Sequence, residues 1–252
     1  MGAVMRLMPR AAARRVVLLY HAVGSGPMAI GVDAFRAQME WLASEVRVVS
    51  LDALLAAETV RDLHVAITFD DGYGSVHDGA LPVLTALGLS ATVYLNTGSI
   101  GETDARPSRP ELGHYPGETF LRWSDAEALV RAGWTVGSHG VDHLDLTRAS
   151  VEECARQLAL SRKDIEQHLQ VGCAHFAYTW GRSTPRLRAL VSQCGYRYAA
   201  GGRHGPVRPG FDPMAFPRIN VAQDYSLADF KAVVRGDWDY LRWVQRAKGG
   251  IA

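Results

Sequence analysis

The chain has 252 residues, with 27 lysines and arginines against 26 acidic residues and nearly half of its positions hydrophobic. That length suits one large α/β domain with a substantial core, and the charge balance excludes the basic signature of a nucleic-acid or anionic-surface binder. No apolar stretch approaches the roughly 20 residues of a membrane span.

The first residues are locally basic through Arg6, Arg10, Arg14 and Arg15. They do not read as a signal peptide, because the apolar run at 16–20 is too short and flows into a core strand. The expectation is one domain over 1–252, with 1–14 a flexible leading segment, in a cytoplasmic protein. Cys154, Cys173 and Cys194 are odd in number and widely spaced, which reads as reduced core thiols.

Strand-like and helix-like stretches alternate from there. Residues 16–20 form a first strand, and Asp33 caps a helix with Phe35, Met39 and Leu42 on one face. A second strand covers 46–49, with Ser50 opening a short helix. Residues 65–69 read as a buried strand, rich in β-branched residues and ended abruptly by Asp70-Asp71-Gly72. A helix over 76–87 stops at Gly88, and 91–95 is a fourth strand. Between 98 and 120, Gly98, Gly101, Pro107, Pro110, Gly113, Pro116 and Gly117 break the rhythm into a long loop, a candidate lid. Regular structure resumes with a helix capped by Ser124, a strand at 134–136, a long helix over 151–169, a strand at 175–179, a helix over 184–194, and strands at 196–199 and 216–221. A final helix starts at Ser226. Seven or eight such units favour a parallel sheet in a single distorted (β/α)7-8 barrel, whose strand C-termini share one face. Asp70, Asp71, His139, Trp180 and His21 all fall just past strand ends.

Two adjacent carboxylates at such a position are costly to desolvate without partners, and neighbours on a strand point to opposite sides. One can hold a cation while the other takes protons. An acidic turn that caps the next helix is the plainer alternative. Ser138-His139-Gly140-Val141-Asp142-His143 places two imidazoles four residues apart. On a helical turn this spacing lets both reach one metal, and either Asp70 or Asp71 completes a two-histidine, one-carboxylate set with open positions. His21 is a core histidine or a proton donor on the same face. The segment 176–181 ends in Tyr178, Trp180 and Gly181, and supplies a sugar-facing wall at Trp180 and backbone N–H groups near Tyr178 for an oxyanion.

Thr68-Phe69-Asp70-Asp71-Gly72 together with residues 138–143 resembles the first two motifs of the polysaccharide deacetylases with a NodB-homology domain, carbohydrate esterase family four. The resemblance covers roughly residues 16–221. It implies a distorted barrel, one divalent metal ion (usually zinc), and hydrolysis of N-acetyl groups on amino sugars. Carried over by position, Asp70 is the catalytic base, and Asp71, His139 and His143 are the metal ligands. The family's third motif often supplies an arginine that orients the base, and usually has proline before the aromatic; Ala177 and Thr179 stand in that segment here. The late Leu-x-x-His motif is absent. Instead, Tyr20-His21-Ala22-Val23 and Phe216-Pro217-Arg218-Ile219 resemble the bacterial exopolysaccharide deacetylase branch, in which the acid histidine lies at the beginning of the chain. The expectation is therefore a metal-dependent deacetylase of N-acetylglucosamine-type glycans or glycolipid precursors. A protonated His21 donates to the departing amine, and Arg218 orients Asp70. A cyclic-amide hydrolase on the same scaffold and a non-catalytic glycan-binding barrel are the alternatives.

Overall fold

The computed structural model describes residues 13–247. The expected flexible segment lies outside them up to residue 12, whereas Arg14 already opens the first strand. The strands are β1 (Arg14–Tyr20), β2 (Arg47–Val48), β3 (Leu63–Phe69), β4 (Thr92–Leu95), β5 (Thr135–Ser138), β6 (His175–Ala177), β7 (Tyr198–Ala200) and β8 (Ile219–Asn220). Every pairing between them is parallel, in the order β7-β6-β5-β4-β3-β1-β8, with β2 also on β3. A further parallel bridge between Ala200 and Phe216 links the two ends of that order and curls the sheet into a distorted barrel.

The helices are α1 (Val32–Glu45), α2 (Leu51–Ala56), α3 (Leu81–Ala86), α4 (Trp123–Arg131), α5 (Val151–Leu169), α6 (Pro185–Gln193), α7 (Leu227–Arg235) and α8 (Leu241–Ala247). Ser50, Ser150, Thr184 and Ser226 cap helices with side-chain oxygens, as short hydroxyl residues do. Two expected caps differ. Gly31 rather than Asp33 precedes α1, and Arg122 rather than Ser124 precedes α4, where Asp125 accepts the Arg122 N–H at 2.9 Å. Residues 76–80 form a wide π-turn before α3, and Gly236 at φ 104° separates α7 from α8 where one final helix was expected.

Period-two alternation sorts the strands between layers. Val16, Leu18 and Tyr20, with Val65, Ile67 and Phe69, join the buried cluster shared with α1, α3 and α7. Val17 and Ala66 lie with Tyr94, Ala177, Ala200 and Phe216 on the inner side. Thr68 and Asp70, two residues apart, share one side, and this is what aims Asp70 inward. At β5, Gly137 leaves room for the Tyr94 ring: an added Cβ would lie 2.7 Å from it.

Candidate active site

Asp70, Asp71 and Gly72 leave β3 in a tight turn in which Asp71 takes φ 71° and Gly72 φ 77°. Aspartate tolerates the left-handed region better than most residues, yet the conformation is strained. A Cβ on Gly72 would come within 2.9 Å of Leu95, so glycine is required there. Among the described residues, the non-glycine residues with positive φ are Asp71, His143, Gln170 and Trp180, and the site contains all but Gln170. Strain of this kind collects where a surrounding structure over-determines a functional geometry.

Asp71, His139 and His143 are buried, and their ligand atoms lie within 4.8 Å of one another. The Nε2 atoms of both histidines are 3.4 Å from the same Asp71 carboxylate oxygen. Each Nδ1 is tied to a main-chain carbonyl at 2.7 Å, that of Ala177 for His139 and that of Leu112 for His143. With Nδ1–H donated to a carbonyl, the Nε2 lone pair is left facing inward, which is the tautomer a metal ligand needs. Two imidazole nitrogens and one carboxylate, oriented in this way, fit a divalent cation with open positions.

The two histidines do not share a helical turn, contrary to the spacing argument. Residues 139–143 are a loop, with Gly140 at φ 84° and His143 at φ 53°. Gln157 of α5 holds it, its Oε1 accepting from the N–H groups of Val141 at 2.7 Å and Asp142 at 3.0 Å.

Asp70 belongs to a different partnership. Arg218, next to β8, donates from both terminal nitrogens to the two Asp70 oxygens at 2.7 Å. Burial pushes the Asp70 carboxyl up, but the Arg218 guanidinium, together with the His139 and His21 rings, outweighs it, and the net direction is below the usual carboxylate value. The guanidinium also lies over the Tyr94 ring at 5.7 Å, so the space opened by Gly137 reaches Asp70 through Tyr94 and Arg218.

His21 follows β1 level with Asp70, whose N–H donates to the Tyr20 carbonyl at 3.0 Å. Its ring faces Tyr115 at 5.3 Å. Burial lowers its pKa, opposed by Asp71 and Asp70, and the net direction is down. Its protonation therefore depends on how far these opposing influences leave it below the ordinary imidazole value.

Trp180 is 42 % exposed and meets the His143 ring edge-on at 4.8 Å. Tyr178 does not serve the oxyanion role directly. Its N–H donates to the Ala200 carbonyl at 3.1 Å and its hydroxyl to that of Met214 at 2.9 Å, because β6 and β7 pair through this point.

The loop over 98–120 is fastened rather than loose. It bridges Tyr73 to Phe120 and Pro107 to Thr119, and it supplies the Leu112 carbonyl to His143. It also brings in a residue that periodicity did not single out. His114 is buried with its ring 4.7 Å from that of His143, and burial first, then His143, push its pKa down to about 4. A histidine in a stretch without periodicity carries no sequence signal of this placement.

A family model described as polysaccharide deacetylase matches residues 57–199. The chain belongs to the polysaccharide deacetylase family. It is a hydrolase of the deacetylase class. The matched segment includes Asp70, Asp71, His139, His143, Tyr178 and Trp180, and excludes His21 and Arg218. The chain is 24% identical over 228 residues to YxkH of Bacillus subtilis, a protein named for the same family, covering 88% of this chain and 76% of the relative. It is 20% identical over 208 residues to the poly-beta-1,6-N-acetyl-D-glucosamine N-deacetylase of Staphylococcus aureus, covering 77% and 68%. Among solved structures, IcaB from Ammonifex degensii superposes with a TM-score of 0.74 at 25% identity, over 89% of this chain and 98% of that one. The Streptococcus pyogenes deacetylase PplD gives 0.75 at 19%, over 88% and 98%. The deacetylase barrel is thus shared.

Proposed function

We propose that the protein is a divalent-metal-dependent N-deacetylase, with zinc the expected ion, acting on N-acetylglucosamine-type residues of a bacterial polysaccharide, oligosaccharide or glycolipid precursor. The observation that carries this reading is the pairing of two sites on one strand end: the Asp71–His139–His143 set, with its Nε2 atoms turned inward, and the neighbouring Asp70 clamped by Arg218. Among relatives, a poly-beta-1,6-N-acetyl-D-glucosamine N-deacetylase supports the substrate class.

In this reading Asp71, His139 and His143 hold the ion. When bound, it polarises the acetyl carbonyl and lowers the pKa of water at the site. Asp70, kept as a carboxylate by Arg218, takes a proton from the attacking water. Arg218 fixes the carboxylate plane through two bonds, so that the basic lone pair has one direction. His21 passes a proton to the departing amine, and the proton that Asp70 takes from the water balances it over the turnover. Trp180 offers an apolar face for a sugar ring. Burial and the Asp71 charge push the Tyr73 hydroxyl up, so it stays protonated, and it accepts from the Tyr115 N–H at 2.7 Å.

No helix among the described residues is long and apolar enough to cross a membrane. All three cysteines are unpaired thiols, which suits the reducing cytoplasm. Release of acetate from N-acetylglucosamine oligomers, abolished by a chelator and restored by zinc, tests the proposal. Glycan binding without acetate release would leave only the binding-barrel alternative.

A further inference from the structure

A cavity of about 270 Å³ lies beside Gly181 and the chain that follows β7. It is connected to the catalytic cleft by covalent and hydrogen-bonded neighbours: Gly181 directly follows Trp180, and the Arg203 carbonyl accepts the Arg218 backbone N–H at 3.0 Å. Four arginines line it, Arg188, Arg203, Arg208 and Arg242, against one carboxylate, Asp212. Asp212 is already engaged by Arg188 at 3.2 Å and by the Met214 N–H at 2.8 Å. Among the described residues, Arg203 and Arg208 have no carboxylate partner.

Surface arginines alone would be unremarked. The buried atoms point further. His204 is 7 % exposed and lines the cavity, yet its Nε2 has no hydrogen-bond partner, and neither does the buried Nε of Arg242 on the same wall. Buried polar atoms are nearly always satisfied, and a polar cavity that leaves two of them open is built for something that supplies both a donor and an acceptor.

We infer that this cavity is a phosphate-binding site. Several guanidinium forks converging on one small space need a ligand with several acceptor oxygens and more than one negative charge, which a phosphate supplies and a carboxylate does not. A pyrophosphate that keeps one proton also offers a donor to His204 Nε2 and an oxygen to Arg242 Nε–H while remaining multiply charged. A deacetylated amino-sugar chain is cationic and is repelled here. Phosphate binding stands independently of the deacetylase reading; the use of the site to hold a phosphate-bearing glycan carrier beside the cleft rests on that reading.

The test is calorimetric titration of the full chain with inorganic pyrophosphate at low salt. Saturable binding is expected, weakened at least 10-fold in the Arg203→Ala, Arg208→Ala double variant and unchanged in Asp71→Ala, which removes a proposed metal ligand. Both arginine side chains are exposed, so circular dichroism and thermal unfolding of the double variant should match the parent. No saturable binding overturns the proposal, as does binding kept in the double variant or lost in Asp71→Ala. A vesicle flotation arm identifies the source of the phosphate, because Tyr240, just before α8, and Trp243 on it are exposed beside Arg242. Retention on phosphatidate vesicles but not on phosphatidylcholine, lost in the double variant, assigns a lipid-borne phosphate. Pyrophosphate binding without retention assigns a soluble one.

Discussion

Arg218 and Asp70, 148 positions apart, meet as a two-bond fork with both N···O distances at 2.7 Å and side chains 1 % and 5 % exposed. Removing one partner of such a pair leaves the other charge buried and alone, which costs roughly 3–5 kcal/mol. Arg218→Ala should therefore lower the unfolding temperature sharply and reduce acetate release by ~100-fold or more. Arg218→Lys keeps the charge but not the fork, and should keep more stability than activity. The pH profile gives the sign. Asp70 is held below its ordinary value, so the base is ionised throughout the neutral range and activity is lost only as pH falls through that lowered value. In Arg218→Lys the acid limb should move upward. An unchanged limb would show that Arg218 does not tune Asp70.

Metal occupancy separates the adjacent aspartates. Protein purified without chelator or added metal is expected to carry about one divalent ion per chain by elemental analysis. Asp71→Ala and His143→Ala should lose it. Asp70→Asn should keep most of it while activity falls by ~100-fold or more. Equal metal loss in Asp70→Asn and Asp71→Asn would remove the division of roles.

Much of this site was legible because its parts sit at strand ends. Buried parallel strands read as apolar runs, so β1, β3 and β5 could be placed, and with them His21, Asp70 and His139. The Arg218–Asp70 pair was suggested by a resemblance at Phe216-Pro217-Arg218-Ile219, and what lets it form is that β8 and β3 flank β1. What orients the histidines was not legible. The carbonyls of Ala177 and Leu112 are main-chain groups, which any residue offers, so no side-chain pattern marks them. The same holds for the turn at 139–143. Spacing suggested a helix, but glycine at 140 and the Gln157 side chain, 16 positions from Val141, impose a loop instead. His114 was missed for a related reason: its neighbours are set by long-range packing in a stretch without periodicity.

The loop after His143 carries a pH-dependent fastening. Asp145 accepts from Arg182 at 2.8 Å and from the Thr147 N–H at 3.1 Å, linking this loop to the segment that bears Trp180. Burial raises its carboxyl, but bonds from Thr147 and Arg182 outweigh burial, so its folded pKa lies below the ordinary value. Its stabilisation is then complete above about pH 3.9 and is lost as pH falls through the lower folded value. Asp145→Asn should destabilise the protein by about 1 kcal/mol at neutral pH and by progressively less in strong acid. Urea unfolding of both proteins at neutral pH and at the acid end checks this; a constant difference would assign the loss to packing.

His21 is the residue whose proposed role depends most on proton traffic. An amine leaves poorly without a proton, and a phenolate leaves unaided. His21→Ala should therefore keep its metal and fold while losing ~100-fold or more on N-acetylated sugars and far less on an activated phenyl acetate ester. The pH profile adds a separate constraint. Burial, opposed by Asp71 and Asp70, leaves the resting ring below its ordinary pKa. The parent's kcat/KM on the amide should then show no one-proton fall attributable to His21 above the ordinary imidazole value of about 6.5. Such a fall, absent in His21→Ala, would mean that the charged ring is needed from the outset. Equal losses on amide and ester, with metal and fold intact, would instead place His21 in positioning, against the Tyr115 ring it already faces.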